Sequence, residues 1–204
     1  MITSPRVSDM MKYSFFLTIA SFLVSFHLCG QAKYEREFRI TKSQFPEQAL
    51  TWIAEELKDA RRVRFYKEID SARVSYEAKF KKDRLHYSVE FNAQGELEDI
   101  ELLIEEVDIP REVYQAIENY ITGECSRFKI RRLQQQYPMT MERNTEAVIR
   151  DAFQNLILPY INYELIVSCR KDTGRVEYEY LFNAEGSFIS RRISLPPNYD
   201  HILY

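Results

Sequence analysis

Few residues in this chain are of a type and spacing that could do chemistry. Three histidines occur among its 204 residues: His27, His86 and His201. A zinc site needs three or four nitrogen, sulfur or oxygen ligands converging on one point, and neither His86 nor His201 has sequence neighbours spaced for that. The sequence holds no Gly-x-Ser-x-Gly, no Gly-rich phosphate loop and no His-Glu-x-x-His, so the usual nucleophile, nucleotide and zinc-hydrolase signatures are lacking. Glu96, Glu98, Asp99, Glu101, Glu105, Glu106 and Asp108 form an acidic run that could offer oxygens to a hard cation. The run lacks the Asp/Asn-Gly spacing that wraps calcium, and a solvated strand face explains it better. Arg61, Arg62 and Arg64, and later Arg127, Lys129, Arg131 and Arg132, form basic clusters. A formal net charge of −3 gives no electrostatic footprint for nucleic acid, so charged strand edges that discourage aggregation are expected instead. The chain is expected to be no enzyme and to use no cofactor, no metal and no nucleic acid.

The cysteines and the N-terminus speak about compartment. Lys12 precedes an apolar run from Phe15 to Leu28, and Gly30 and Ala32 stand at −3 and −1 of a cut before Lys33. That is the layout of a secretory signal peptide over residues 1–32, for which Met10 or Met11 would serve equally well as the start. The run is short for the ~30 Å hydrocarbon core, and Ser21, Ser25 and His27 interrupt it, so no transmembrane anchor is expected in the mature chain. Leu28 stands where a small residue usually precedes a lipidated cysteine, which argues against a lipoprotein at Cys29. A periplasmic or secreted protein is the expectation. Removal of the leader leaves Cys125 and Cys169, and an even number in an exported chain permits a disulfide; the alternative is two separate buried thiols. If the strand after the second helix and the strand from Tyr160 are antiparallel neighbours, the two thiols come close.

The elements that must position these groups follow from periodicity. Phe45, Ala49, Trp52, Ile53 and Leu57 recur at helical spacing, with Pro46 in the first turn, where a missing N–H costs nothing. Residues 33–43 are polar and charged and read as an exposed lead-in. After the helix the apolar period becomes two. Val63, Phe65 and Ile69, then Val74, Tyr76, Ala78 and Phe80, then Leu85, Tyr87, Val89 and Phe91 mark strands dry on one face and wet on the other. Lys82-Asp83 and Asn92–Gly95 read as turns. Leu97, Ile100, Leu102 and Ile104 form the next strand, and their change of parity predicts a bulge near Glu98-Asp99. A second helix opens at Asp108-Ile-Pro110, carries Val113, Ala116, Ile117, Tyr120 and Ile121, and ends at Gly123. A strand to about Gln136 follows, then a third helix capped by Asn144 or Thr145 and closed by Pro159. Three strands, 160–170, 175–182 and 187–195, complete the chain.

The pattern repeats. Phe91-Asn-Ala-Gln-Gly95 and Phe182-Asn-Ala-Glu-Gly186 match at one offset, which also lays Leu85, Tyr87, Val89 and Leu97 on Val176, Tyr178, Tyr180 and Phe188. A second offset lays Pro46, Ala49, Ile53 and Leu57 on Pro110, Val113, Ile117 and Ile121. Insertion of the third helix mostly accounts for the difference. The order of a Pro-led helix, a Tyr/Phe-rich hairpin and a Phe-Asn-Ala-x-Gly turn, present twice behind an export signal, resembles the PepSY-like domains grouped with the beta-lactamase-inhibitor-like proteins of Gram-negative bacteria. The likeness covers roughly residues 44–195. It implies a small exported binding or inhibitory module without catalysis, and it transfers no functional residue.

The fold expected is α+β, with two tandem repeats, 44–108 and 109–204, each a helix packed on one face of an antiparallel sheet. An extra helix at about 144–158 is inserted in the second repeat. With three helices for two sheets, the other face stays open. Tyr66, Glu77, Arg84, His86 and Glu90 hold the outward parity in the first repeat, and Ile166 and Leu181 in the second. Tyr66 and His86 offer flat rings with polar tips, a type that suits wet interfaces. The function expected is binding of an unidentified protein or peptide partner through this face; a structural envelope protein with a stable partner is the alternative.

Overall fold

The computed structural model describes residues 32–33, 35–70, 73–172 and 174–194. The expected leader up to Gln31, Cys29 and His201 lie outside the described residues. Helices α1 (Glu47–Lys58), α2 (Arg111–Glu124) and α3 (Thr145–Phe153) accompany ten strands. The strands are β1 (Ala32–Lys33), β2 (Glu35–Ile40), β3 (Arg61–Asp70), β4 (Arg73–Lys82), β5 (Leu85–Asn92), β6 (Leu97–Leu103), β7 (Phe128–Pro138), β8 (Asn162–Lys171), β9 (Gly174–Asn183) and β10 (Phe188–Ser194). They form one sheet in the order β1-β10-β9-β8-β7-β6-β5-β4-β3-β2. From β2 to β10 every pairing is antiparallel, and only the two-residue β1 joins β10 in parallel. The fold is therefore α+β, as the alternating patterns imply. Two separate sheets were expected and one is found, because β6 and β7 pair from Asp99↔Pro138 to Leu103↔Gln134 and carry the ladder across the middle.

The apolar parity of each strand faces the helices. Phe91, Ile100, Tyr137, Tyr163, Tyr180 and Phe182 are fully buried there. Helix α1 brings Ala49 and Ile53 to this face, and α2 brings Ile117 and Ile121. Each begins just after a proline, Pro46 or Pro110, and each has an acidic residue in its first turn, where it complements the helix dipole. The third helix is capped by Asn144, whose Oδ1 accepts from the Ala147 N–H at 2.8 Å. It packs over β6 and β7. Its Phe153 ring stacks on Tyr87 at 4.5 Å and on Phe80 at 6.1 Å. Helix α3 thus fastens the C-terminal half of the chain to strands of the N-terminal half.

The two Asn-Ala-x-Gly turns are built alike. Asn92 Oδ1 accepts from the N–H groups of Gln94 and Glu96 at 2.9 and 3.0 Å, and Asn183 Oδ1 from those of Glu185 and Ser187 at 3.1 and 2.8 Å. Gly95 and Gly186 both have φ +79°, where other residues are strained. Each turn presses on the first turns of a helix. A Cβ on Gly95 would lie 3.1 Å from the Ala49 nitrogen and the Gln48 Cβ, and one on Gly186 2.7 Å from the Val113 carbonyl oxygen.

Several local expectations need correction. The lead-in is instead strand β2, paired residue for residue with β3 from Glu35↔Asp70 to Ile40↔Phe65. Its charges mislead because Phe38 and Ile40 do alternate with Glu37 and Arg39, and charged edge strands are ordinary. The hairpin between β4 and β5 turns on Asp83 and Arg84, both at positive φ, one residue later than expected. Helix α2 runs through Gly123 and stops at extended Cys125, which is bridged to Cys169 with a Cα separation of 5.8 Å. That bridge joins the approach to β7 to the end of β8, whose register pairs Phe128 with Cys169. Helix α3 ends at Phe153, before Leu156, with Asn155 at φ +50°.

Candidate concave binding face

The sheet is strongly curled. Strands β1 and β2 stand at opposite ends of the strand order, yet a single residue separates them in sequence. The two edges must therefore approach each other. Arg64 on β3 and Arg132 on β7 line one depression of about 290 Å³, although four strand spacings, about 19 Å in a flat sheet, lie between their strands. Sheet twist and coiling bring them together. No helix of the core covers the polar parity, yet Glu37, Glu68, Glu77, Gln134, Ser168 and Glu179 are each less than a tenth exposed. The polar parity is thus the concave side, shielded by its own curvature.

Charges on this side are graded along the strands. In β3 the concave residues run Arg64, Tyr66, Glu68; in β4 Lys81, Lys79, Glu77; in β5 His86, Ser88, Glu90. Because neighbouring strands are antiparallel, the register lines up like with like: Arg64 faces Lys79, and Lys81 faces His86. Further along, Glu77 faces Glu90 and Glu90 faces Asp99. Like charges directly opposite each other destabilise a sheet, so both rows run against the fold's own interest. One end of the concavity is a basic rim and the zone behind it is acidic.

The acidic zone is partly internally neutralised. Lys79 Nζ lies 2.6 Å from a carboxylate oxygen of Glu37 and 2.6 Å from one of Glu77. Burial opposes the charge on Glu77, but Lys79, Glu68 and the Ser88 hydroxyl hold its carboxyl below the usual value. Burial likewise opposes the Lys79 ammonium, and Glu77 with Glu37 keeps it charged well beyond the ordinary lysine range. One ligand atom each from Glu37, Glu68 and Glu77 fall within 4.8 Å of one another, which is metal-like spacing. The Lys79 ammonium already bonds Glu37 and Glu77, so the cluster is built as an ion-pair network. Asp99 is different. Its Oδ2 accepts from Gln136 at 3.1 Å, while its buried Oδ1 has no hydrogen-bond donor. Burial, then the charges of Glu90 and Glu164, raise its carboxyl well above the ordinary value. Amide side chains continue the network across the middle of the sheet, with Asn162 bonded to Gln136 at 3.0 Å and Gln134 to Glu101 at 2.5 Å.

The residues singled out from sequence fall into three groups. Tyr66 on β3 and His86 and Glu90 on β5 lie on the concave side, on either side of β4, and the Tyr66 ring lies 4.8 Å beneath Lys79 Nζ. Leu181 is on the same side, far across on β9. Glu77 and Ile166 share the face, but both are only 8% exposed. Glu77 is held by Lys79 and Ser88, and Ile166 sits between Arg132 and Glu179 in register. Neither is available for contact, a correction that follows from curvature the sequence does not display. Arg84 is not on the face at all; it forms the β4–β5 turn at φ +73°. The acidic run also divides: Asp99 and Glu101 point into the concavity, Glu98 pairs with Arg73, and Glu105 and Asp108 cap a short turn. Sequence reasoning passed over Arg62, Arg64 and Arg132 as strand edges. The signal was there, in two basic clusters opening the first strand after each Pro-led helix.

Comparison with known proteins finds no family profile and no curated protein that matches the chain. Solved structures do match. A DUF2874 family protein from Bacteroides uniformis is 15% identical, with 72% of this chain and 88% of that one covered at a TM-score of 0.50. One from Bacteroides ovatus is 14% identical over 78% and 94%, TM-score 0.49. A BLIP-like protein from Bacteroides fragilis is 13% identical over 78% and 92%, TM-score 0.45. The Bacteroides uniformis likeness extends to the fold and no further.

Proposed function

We propose that this chain is an exported, non-catalytic binding module, built as two PepSY-like repeats in tandem, that holds a protein or peptide partner against the concave face of its sheet. The observation that carries this reading is the division of the sheet. All three helices pack on one side, while the other keeps rows of like charge that cost stability and that no part of the core requires. Sites that break a local rule without structural gain are where function is to be sought. The two Asn-Ala-x-Gly turns, with the same hydrogen bonds and the same docking on a helix start, support the tandem reading. Export is supported by the leader pattern and fits the Cys125–Cys169 bridge. No helix among the described residues is long and apolar enough to cross a membrane.

Site-directed photocrosslinking tests the reading. A benzophenone side chain placed at Tyr66, His86 or Leu181 is expected to capture partner polypeptides from a periplasmic extract. The same group at Gln115 on α2 or Glu146 on α3, both exposed, is expected to capture none of them. Adducts formed only from the helix positions would overturn the concave face as the binding surface.

A further inference from the structure

We infer that the basic rim and the acidic row behind it form one bipolar site, whose occupant is a protein segment carrying a carboxylate and, further along, a cationic side chain. The inference rests on the proposed function and names the chemistry of the partner. Arg62, Arg64, Lys81, His86 and Arg132 line the depression of about 290 Å³ at the rim, with Leu103 among them and 46% exposed. Among the described residues none of these five basic groups has a carboxylate partner, whereas Lys79, which lines the same depression, has two. The rim is therefore a set of basic side chains, Arg62, Arg64, Lys81 and Arg132 with His86, none in a salt bridge among the described residues, curled round a hollow with an apolar side chain at its edge.

The backbone adds a second observation. Arg62 is held at φ +57°, in a region an arginine occupies at a cost of roughly 1–2 kcal/mol. It sits in a β-bulge, where the register of β3 on β4 slips between Arg61 and Arg64. Strand β7 slips in the same way between Ile130 and Arg132. Bulges re-aim side chains and gather next to sites, and here the bulge on each side of the hollow presents an arginine to it.

The acidic row decides which anion fits. From His86 to Glu90 along β5 is four residues, about 13 Å of strand. A uniform polyanion, such as a sulfated polysaccharide, a nucleic acid or an anionic membrane, would run into the field of Glu90 and Asp99 within that distance and be repelled. A compact anion at the rim avoids them. A segment that places Asp or Glu among the rim arginines and Lys or Arg about four extended residues further on satisfies both ends. Guanidinium groups bind carboxylates bidentately, so the rim fixes the occupant's register, and the charge gradient fixes its direction across the strands.

A display library of random 12-residue peptides, selected on the mature protein, tests this. The enriched peptides are then measured by fluorescence anisotropy against the mature protein and against an Arg64→Gln/Arg132→Gln variant shown by thermal melting to be folded. The expected consensus pairs an acidic residue with a basic one three to five positions away. Its affinity should fall at least tenfold in the variant, at least tenfold when the peptide's basic residue becomes Glu, and with rising salt, which screens exposed charge. Enriched peptides that need Arg64 and Arg132 but are uniformly acidic or apolar would overturn the bipolar site and leave the concave face standing. So would a heparin fragment or phosphatidylglycerol vesicles that bind more tightly than any peptide. Peptides indifferent to the variant would sink both the site and the face. Failure to enrich any peptide over the variant would overturn the bipolar site.

Discussion

Substituting alanine for the two turn glycines measures how the sheet is docked on its helices. Gly95 and Gly186 share φ +79°, so an alanine at either carries the same backbone penalty, roughly 1–2 kcal/mol. The surroundings then separate them. At Gly95 the new Cβ meets the Ala49 nitrogen and the Gln48 and Pro46 Cβ atoms at 3.1–3.2 Å, distances that a shift of a few tenths of an ångström relieves. At Gly186 it meets the Val113 carbonyl oxygen at 2.7 Å, with Ala116 Cβ at 3.2 Å. That oxygen belongs to the backbone of α2 and can retreat only if the helix moves. Overpacking of this kind adds about 1–3 kcal/mol. Gly186→Ala is thus expected to lose about 2–5 kcal/mol and Gly95→Ala about 1–2 kcal/mol. For a domain of this size each kcal/mol moves Tm by about 2–4 °C, so the difference between the variants is several degrees. Calorimetry or urea unfolding of the mature protein reads it directly. Equal losses, or a larger one at Gly95, would show that the turn at 183–186 does not bear on α2 as described.

Two further outcomes are expected. Asp99→Asn should raise Tm by up to about 2–4 °C at pH 7, because it removes a carboxyl whose charged form burial and then the neighbouring Glu90 disfavour, a like-charge contact across the ladder costing up to about 1 kcal/mol. Burial and its acidic neighbours raise the Asp99 carboxyl in the fold, so its stabilising contribution is complete below the ordinary carboxylate range and is lost as pH rises through the raised value. The advantage of Asn should therefore fade on acidification towards pH 4, and an advantage that persisted or grew there would contradict the assignment. Removing the bridge with Cys125→Ala/Cys169→Ala opens a loop of 44 residues, worth about 4 kcal/mol by chain entropy; a melting curve insensitive to the pair, or to reductant in the parent, would exclude the bridge.

Most of the architecture was open to reading because both periods are clean. The stripe ending in Ile117 and Ile121 buries both of those residues, and the alternation Tyr87, Val89, Phe91 buries all three. Even the slip of register opposite Glu98 was signalled by the change from Leu97 to Ile100. What failed was context. Strand β2 carries Arg36, Glu37 and Arg39 among its six residues, and nothing local says that Glu37 will find Lys79, some forty positions away. Helix α2 runs on through Gly123, where a side chain would meet nothing within 4 Å, and ends at Cys125, which the bridge anchors. Periodicity reports which face of an element is dry; it does not report how many sheets the elements make.

The site was less legible for a specific reason. Parity separates the concave side from the helix side correctly, and it places Tyr66, His86, Glu90 and Leu181 there. It treats every residue of that side as equally exposed. Curvature breaks the equivalence: it buries Glu77 and Ile166 in the trough and leaves the strand ends at the rim as the accessible part. It also joins two arginine clusters that stand nearly seventy positions apart in sequence and four strands apart in the sheet. A charge gradient that alternates direction from strand to strand looks, along the chain, like a mixture of Lys, Arg and Glu with no order. Only the antiparallel register sets Arg64 beside Lys79 and Lys81 beside His86 at one end, and turns Glu77, Glu90 and Asp99 into a row. The recognition chemistry of this fold is therefore a property of sheet pairing and coiling acting on charges that, taken singly, are ordinary solvated strand residues.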